Sequence, residues 1–200
     1  MTGDITSHNG DGPNGGRNAG SGSSDSGEIG IPVVEDGPAL YRITRDSRVL
    51  DVNSSYAYLL WCRDFARTSA VAREDGEAVG FVTGYLRPDA PDVLMVWQVA
   101  VDASQRGRGV AGKLLGHLVD RLVPEGVRYL ETTITADNTA SIKLFSALAR
   151  DRGTELARSE LFRAELFPDA HLGEDLYRIG PFAAPGASVG ESVATPRPAD

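Results

Sequence analysis

One cysteine, Cys62, is all that a chain of 200 residues carries, so no internal disulfide can form. No run approaches the roughly 18 apolar residues of a membrane-spanning helix, and the N-terminus shows no basic-then-apolar leader pattern. A soluble, cytoplasmic protein is the expectation. Positive charge is in deficit: the formal net charge is −8, which gives a nucleic-acid role no electrostatic support. A negative surface agrees mildly with a cationic substrate. No His/Cys/Asp cluster has metal-ligand spacing, so no metal is expected. No internal repeat is visible.

Aromatic residues are missing from both ends, the first being Tyr41 and the last Phe182. Residues 1–37 are rich in Gly, Ser, Asn and Asp, and residues 183–200 in Ala and Pro. Such segments bury too little apolar surface to offset their ordering entropy, and both are expected to be disordered. Residues 38–182 remain, about 145 in number, which is the size of one ordinary domain.

Within that span, Pro38 to Ile43 reads as a short first strand. Asn53-Ser54-Ser55 offers a cap before Tyr56, Leu59, Leu60 and Phe65, so a helix is expected over 53–66. Thr68 to Arg73 and Ala78 to Leu86 read as a strand pair turning at Glu74-Asp75-Gly76. Val93 to Val101 is apolar on both parities except at Gln98, as in a strand covered on both faces. From Gly109 the period becomes helical, with Val110, Ala111, Leu114, Leu115, Leu118, Val119 and Leu122 on one side. Pro124-Glu125-Gly126 stops that helix. A strand follows over 127–135, then a helix from Asn138, and two closing strands over 158–167 and 175–179. The order β-α-β-β-β-α-β-α-β-β describes an α/β (α+β) domain around one mixed sheet.

The loop after the fourth strand carries the chemistry. Gln105-Arg106-Gly107-Arg108-Gly109-Val110-Ala111 joins an apolar strand to a helix. Glycines let the backbone turn tightly and approach a ligand, and the helix dipole adds to their N–H groups. A ligand carrying pyrophosphate is implied. Two patterns fit. Gly107 to Gly112 matches the dinucleotide G-x-G-x-x-G, with Glu131 at the spacing of its ribose-binding acid. Arg106 to Ala111 matches R-x-x-G-x-A, the acyl-CoA loop of the GNAT N-acetyltransferases. Three observations favour the second. Five residues, Asp102 to Arg106, separate strand from glycine. Arginines crowd a loop that in dinucleotide sites relies on backbone. Too little chain follows for a two-halved dinucleotide fold.

The element order and this loop together resemble the GNAT N-acetyltransferase family over nearly all of 38–182. The resemblance implies a mixed, mostly antiparallel central sheet of six to seven strands flanked by helices, with acetyl-CoA as co-substrate. It assigns Val99, Val101, Arg106, Gly107, Arg108, Gly109, Val110, Ala111 and Gly112 to the cofactor. Asn138-Thr139-Ala140-Ser141-Ile142-Lys143-Leu144-Phe145 resembles a second family element, in which Asn138 and Ser141 touch the pantetheine or pyrophosphate. Phe145 departs from the usual tyrosine, the proposed proton donor to the leaving thiolate, and has no proton to give. A narrower resemblance lies in three segments, 50–60, 96–101 and 171–179. They look like the L-2,4-diaminobutyrate acetyltransferases of ectoine biosynthesis, which acetylate the γ-amine. That family also implies a homodimer.

An alkylamine is almost wholly protonated at neutral pH, so a proton must leave before nitrogen attacks a thioester. Nothing marks Cys62 as activated, which leaves direct transfer in a ternary complex. A backbone N–H at Val99 or a neighbour would hold the developing oxyanion, freed there by a bulge. For the diammonium substrate, Asp51 and Glu174 supply carboxylates, Trp97 and Tyr56 aromatic faces, and His171 a titratable donor. Glu174 or His171 would pass the reactive proton to water. Cys62 otherwise reads as a packing residue, His117 as surface, and His8 as part of the head. Gly186-Ala187-Ser188-Val189-Gly190 fits the hydrolase elbow G-x-S-x-G, but no strand precedes it and no histidine follows.

Overall fold

The computed structural model describes residues 27–169 and 171–183. Its order is β1 (Glu28–Gly30), α1 (Gly37–Ser47), α2 (Ser55–Asp64), β2 (Ala70–Glu74), β3 (Glu77–Arg87) and β4 (Ala90–Val101). Then follow α3 (Val110–Leu122), β5 (Tyr129–Thr135), α4 (Thr139–Asp151), β6 (Leu156–Phe162) and β7 (Glu174–Ile179). The strands form one seven-stranded sheet, ordered β1-β2-β3-β4-β5-β7-β6, antiparallel throughout except between β4 and β5. The mixed, mostly antiparallel sheet expected from the sequence is the one observed.

Two expectations fail at the N-terminal end. Residues 38–43 are helix, not strand. Pro38 lies in the first turn, where its missing N–H costs nothing, and Leu40, Ile43 and Thr44 are buried at helical spacing. A six-residue, mostly apolar run is too short to distinguish a helical from a strand period. The domain also begins earlier than residue 38. Glu28–Gly30 pairs with Val71–Arg73, and Arg73 Nη2 meets Asp36 Oδ2 at 2.5 Å, tying residues 31–36 to the sheet edge. A three-residue edge strand flanked by glycines carries no periodic signal. The rest of the expected head (1–26), including His8, and the tail from residue 184, including Ser188, lie outside the described residues.

Helices cover both faces. On one, α1 and α2 set Leu40, Ile43, Tyr58 and Cys62 against Val71, Phe81 and Ala100. On the other, α3 and α4 set Leu114, Leu115, Leu118, Phe145 and Leu148 against Val82, Leu94, Val96 and Leu130. The Glu74-to-Gly76 turn is where the sequence placed it, with Asp75 and Gly76 both at positive φ.

β4 carries the irregularity that matters. Thr83 pairs with Gln98 and Gly84 with Val96, so Trp97 has no partner on β3 and forms a β-bulge. The extra residue reverses the alternation. Leu94 and Val96 face the α3–α4 core before the bulge, whereas Ala100 faces the α1–α2 core beyond it. On its other side β4 pairs with β5 only over Val93–Met95. Past Met95 the two strands part, and β5 continues against β7 as far as Thr135.

Candidate active site

The parting of β4 and β5 opens a cavity of about 310 Å³, walled by Asp51, Trp97, Val99, Phe145, His171 and Glu174 among others. A groove of about 420 Å³ adjoins it and runs past Val99, Val101 and Ser141 to Arg106 and Ala111. Leu50, Val99, Asn138 and Ser141 line both hollows. One passage thus leads from the glycine loop to His171.

His171 stands between two carboxylates. Its Nε2 is 3.5 Å from Asp51 Oδ2 and 3.7 Å from Glu174 Oε1. Asp51 comes from the α1–α2 connection and Glu174 opens β7, where it pairs with Thr135. The imidazole stacks on Phe167 at 4.3 Å between ring centroids. Nδ1 lies 2.6 Å from the carbonyl oxygen of Leu172, which can only accept, so Nδ1 carries the hydrogen and neutral His171 presents a lone pair at Nε2. That backbone contact raises the His171 pKa above its ordinary value; Glu174, Asp51 and Asp169 add to the rise and loss of hydration opposes it. Both carboxylates sit beyond tight hydrogen-bond reach of the ring.

Trp97, the bulged residue, is 41% exposed. Its ring centroid lies 4.8 Å from that of Trp61, which in turn packs against Phe65, so Trp97 is propped from behind while it lines the cavity. Tyr56, expected in the pocket, is not there. Tyr58, Trp61 and Cys62 turn inward from α2, and Tyr56, two residues before Tyr58, projects to the outside and is exposed. The α2 cap is Ser54 rather than Asn53, and Asn53 lines the cavity.

In the glycine loop, Gly107 and Gly109 take φ of 79° and 74°, a conformation that L side chains resist. A Cβ on either would meet no atom within 4 Å, so the loop's outer side is open. Gly109 caps α3, and the N–H groups of Val110, Ala111 and Gly112 lack intrahelical acceptors. The residues fit a pyrophosphate. The two arginines, however, part company. Arg106 lines the groove. Arg108 Nη1 donates to Gln105 Oε1 at 2.5 Å and reaches Glu74 Oε1 at 3.3 Å, beside a separate hollow that Lys113 and the Val110 side chain also line. Neither Val110 nor Gly112 lines the groove; their N–H groups are free donors at the start of α3. At α4, Asn138 Oδ1 accepts from the Ser141 N–H at 3.1 Å, which leaves its amide N–H2 as the donor half.

Glu131, the acid of the dinucleotide pattern, is committed elsewhere. It is 1% exposed, with Oε2 at 3.0 Å from Arg87 Nη1 and Oε1 at 2.6 Å from Arg178 Nη1. It holds the sheet together and cannot reach a ribose at the loop. Cys62 is buried, and burial pushes its thiol up to about 12, which removes it as a nucleophile. His117 is half-buried on α3, its pKa lowered by loss of hydration, and lies on neither hollow. Among the cavity residues to which the sequence assigns no role is Gln98, buried, whose Nε2 donates to the Asp51 main-chain oxygen at 2.9 Å. Its signal is present in the sequence as the one polar residue interrupting an apolar strand.

Comparison with known proteins identifies the family. The model of the acetyltransferase (GNAT) family matches residues 38–149. An L-2,4-diaminobutyric acid acetyltransferase of Nocardia farcinica is 59% identical over 152 residues, 76% of this chain and 79% of that protein. One of Streptomyces coelicolor is 59% identical over 162 residues, 80% of this chain and 95% of the other. Among solved structures, a diaminobutyrate acetyltransferase from Paenibacillus lautus, in complex with its substrate L-2,4-diaminobutyric acid and coenzyme A, is similar. It superposes at a TM-score of 0.74 with 36% identity, covering 82% of this chain and 99% of that one.

Proposed function

The chain belongs to the acetyltransferase (GNAT) family, and from that premise we propose that it acetylates the γ-amine of L-2,4-diaminobutyrate. Acetyl-CoA is the donor and N-γ-acetyl-diaminobutyrate the product, a step of ectoine biosynthesis. The observation that carries the reading is the convergence of Asp51, His171, Glu174 and Trp97 around one cavity, continuous with a groove ending at Arg106.

At neutral pH the substrate has two ammonium groups and one carboxylate. Asp51 and Glu174 hold the ammonium groups by charge-assisted hydrogen bonds, and Trp97 lies along the aliphatic stem. The reacting nitrogen gives its proton to Nε2 of neutral His171, directly or through one water. Nitrogen then attacks the thioester carbon. As the tetrahedral adduct collapses the C–S bond breaks, the sulfur leaves as thiolate, and the second proton of the nitrogen passes to that sulfur or to water, giving the neutral amide and free CoA thiol. The exposed edge of β4 at Val99 supplies the N–H for the carbonyl oxygen. Phe145 takes no part in protonating the thiolate. A thiol of ordinary pKa near 8.5 departs with little help. Arg106, the glycine-loop backbone and Asn138 hold the other end of the donor. A homodimer and a cytoplasmic location belong to the same reading and rest on the resemblance; among the described residues no helix is long and apolar enough to cross a membrane.

The test is thiol release from acetyl-CoA with diaminobutyrate, ornithine, lysine and spermidine, the acetylated nitrogen being located by NMR. Turnover mainly on diaminobutyrate, at the γ position, is expected. Preference for another amine would assign a different small-amine acetyltransferase. CoA binding without turnover on any amine would replace the enzyme with an acyl-CoA-sensing module, the alternative that Phe145 in place of the usual tyrosine raises.

A further inference from the structure

Gln98 is 6% exposed and lies in the cavity wall. Because the Asp51 carbonyl can only accept, the amide N–H2 must face it, and Oε1 must face away. Oε1 is buried and has no hydrogen-bond partner among the described residues. A walled-in acceptor without a donor lowers stability, and an apolar side chain of the same size would avoid that loss. The strand does not need the amide: Thr83 pairs with Gln98 through the main chain, and Thr83 Oγ1 reaches the Gln98 carbonyl at 3.4 Å.

The loop does need it. The Asp51 side chain is 87% exposed, and Val49 and Val52 beside it are exposed as well. The loop's own bonds are long: Leu50 N–H to Ser47 Oγ at 3.3 Å and Asn53 Nδ2 to Asp51 O at 3.5 Å. Among the described residues, the Gln98 amide is what ties the Asp51 main chain to the sheet. The bulge at Trp97 makes the contact possible. Without it, Gln98 would face the α3–α4 core as Val96 does.

We propose that Gln98 is a positioning residue for the amine: through the Asp51 main chain it holds the Asp51 carboxylate opposite His171 Nε2. The proposal rests on the reading of Asp51 as an ammonium-binding group. It predicts a trade of stability against function that an ordinary core residue would not show.

The experiment compares wild type with Gln98→Met, which keeps the volume and removes the amide. Expected are an amine KM raised about tenfold, an unchanged acetyl-CoA KM, and a Tm equal to or above wild type. If Gln98→Met fails to fold, Gln98→Glu reads the same point by setting an acceptor against the Asp51 carbonyl, with the same rise in amine KM. A lower Tm with both KM values shifted would mean that Gln98 is only structural. An amine KM within about twofold of wild type would overturn the proposal while leaving the proposed reaction intact. Absence of wild-type turnover on diaminobutyrate would overturn both.

Discussion

Replacing Glu174 with glutamine removes one negative charge from the cavity while keeping the side chain's shape. Two unit charges about 4 Å apart attract by about 4 kcal/mol at the effective dielectric near a protein surface. The Glu174 side chain is 22% exposed, so water screens part of that. What remains is comparable to a net charged hydrogen bond, about 1.5–3 kcal/mol, or roughly 10- to 150-fold in kcat/KM for diaminobutyrate. The acetyl-CoA KM should not move, because Glu174 does not line the groove to Arg106. The pH profile gives a second reading. Neutral His171 accepts the proton, so the rate rises with pH through the folded His171 pKa. Glu174 is one cause of that raised pKa, and the Leu172 carbonyl, the largest, stays in place. In Glu174→Gln the rising limb should therefore shift to lower pH without losing the whole elevation. The stability linkage has the same origin: the protonated imidazole contributes below its unfolded pKa, and this is lost as pH rises through the folded value. Steady-state kinetics from pH 6 to 9 measure both effects. An unchanged kcat/KM with an unmoved limb, or an equal rise in the acetyl-CoA KM, would refute the assignment of Glu174 to the amine.

Cys62→Ser should keep kcat, and iodoacetamide should not inactivate the wild type at neutral pH, since burial holds the thiol protonated; rapid inactivation would point to a thiol mechanism. Gly84→Ala would put a Cβ 2.7 Å from the Met95 carbonyl oxygen, opposite the bulge. A loss of about 1–3 kcal/mol in urea unfolding should come with a raised amine KM. Arg106→Ala should raise the acetyl-CoA KM about tenfold or more. Arg108→Ala, whose guanidinium is directed to Gln105 and Glu74, should raise it less; equal effects would mean that both arginines serve the groove.

Long, strongly periodic elements were legible in the sequence. The Leu114, Leu115, Leu118 and Leu122 stripe, the apolar β4 and the Asp75-Gly76 turn each state their structure locally, and the structure has them where expected. Short elements were not. Pro38 to Ile43 fits two periods over six residues, and Glu28–Gly30 is a strand only because Arg73 and Val71 lie beside it. Tyr56 shows the same limit at the site. It belongs to a segment whose neighbours reach the cavity, but the side of α2 on which it falls is set by which residues the core takes, Tyr58, Trp61 and Cys62. Arg106 and Arg108 likewise stand two apart in a loop, and only the different hollows they line separate their roles.

By itself the sequence determined the glycine loop that opens α3 and made it the proposed phosphate site, because glycines, arginines and a helix start act within a few residues of one another. It also supplied the residue types proposed to hold the amine. Tertiary structure alone decided that Asp51, Trp97, His171 and Glu174, from three separate parts of the chain, share one cavity. It decided that Glu131 serves two arginines rather than a ribose. It turned Gln98 toward the Asp51 loop. The reason is the same in each case: a β-bulge and the divergence of two parallel strands redirect side chains across the sheet, and neither leaves a mark in local periodicity.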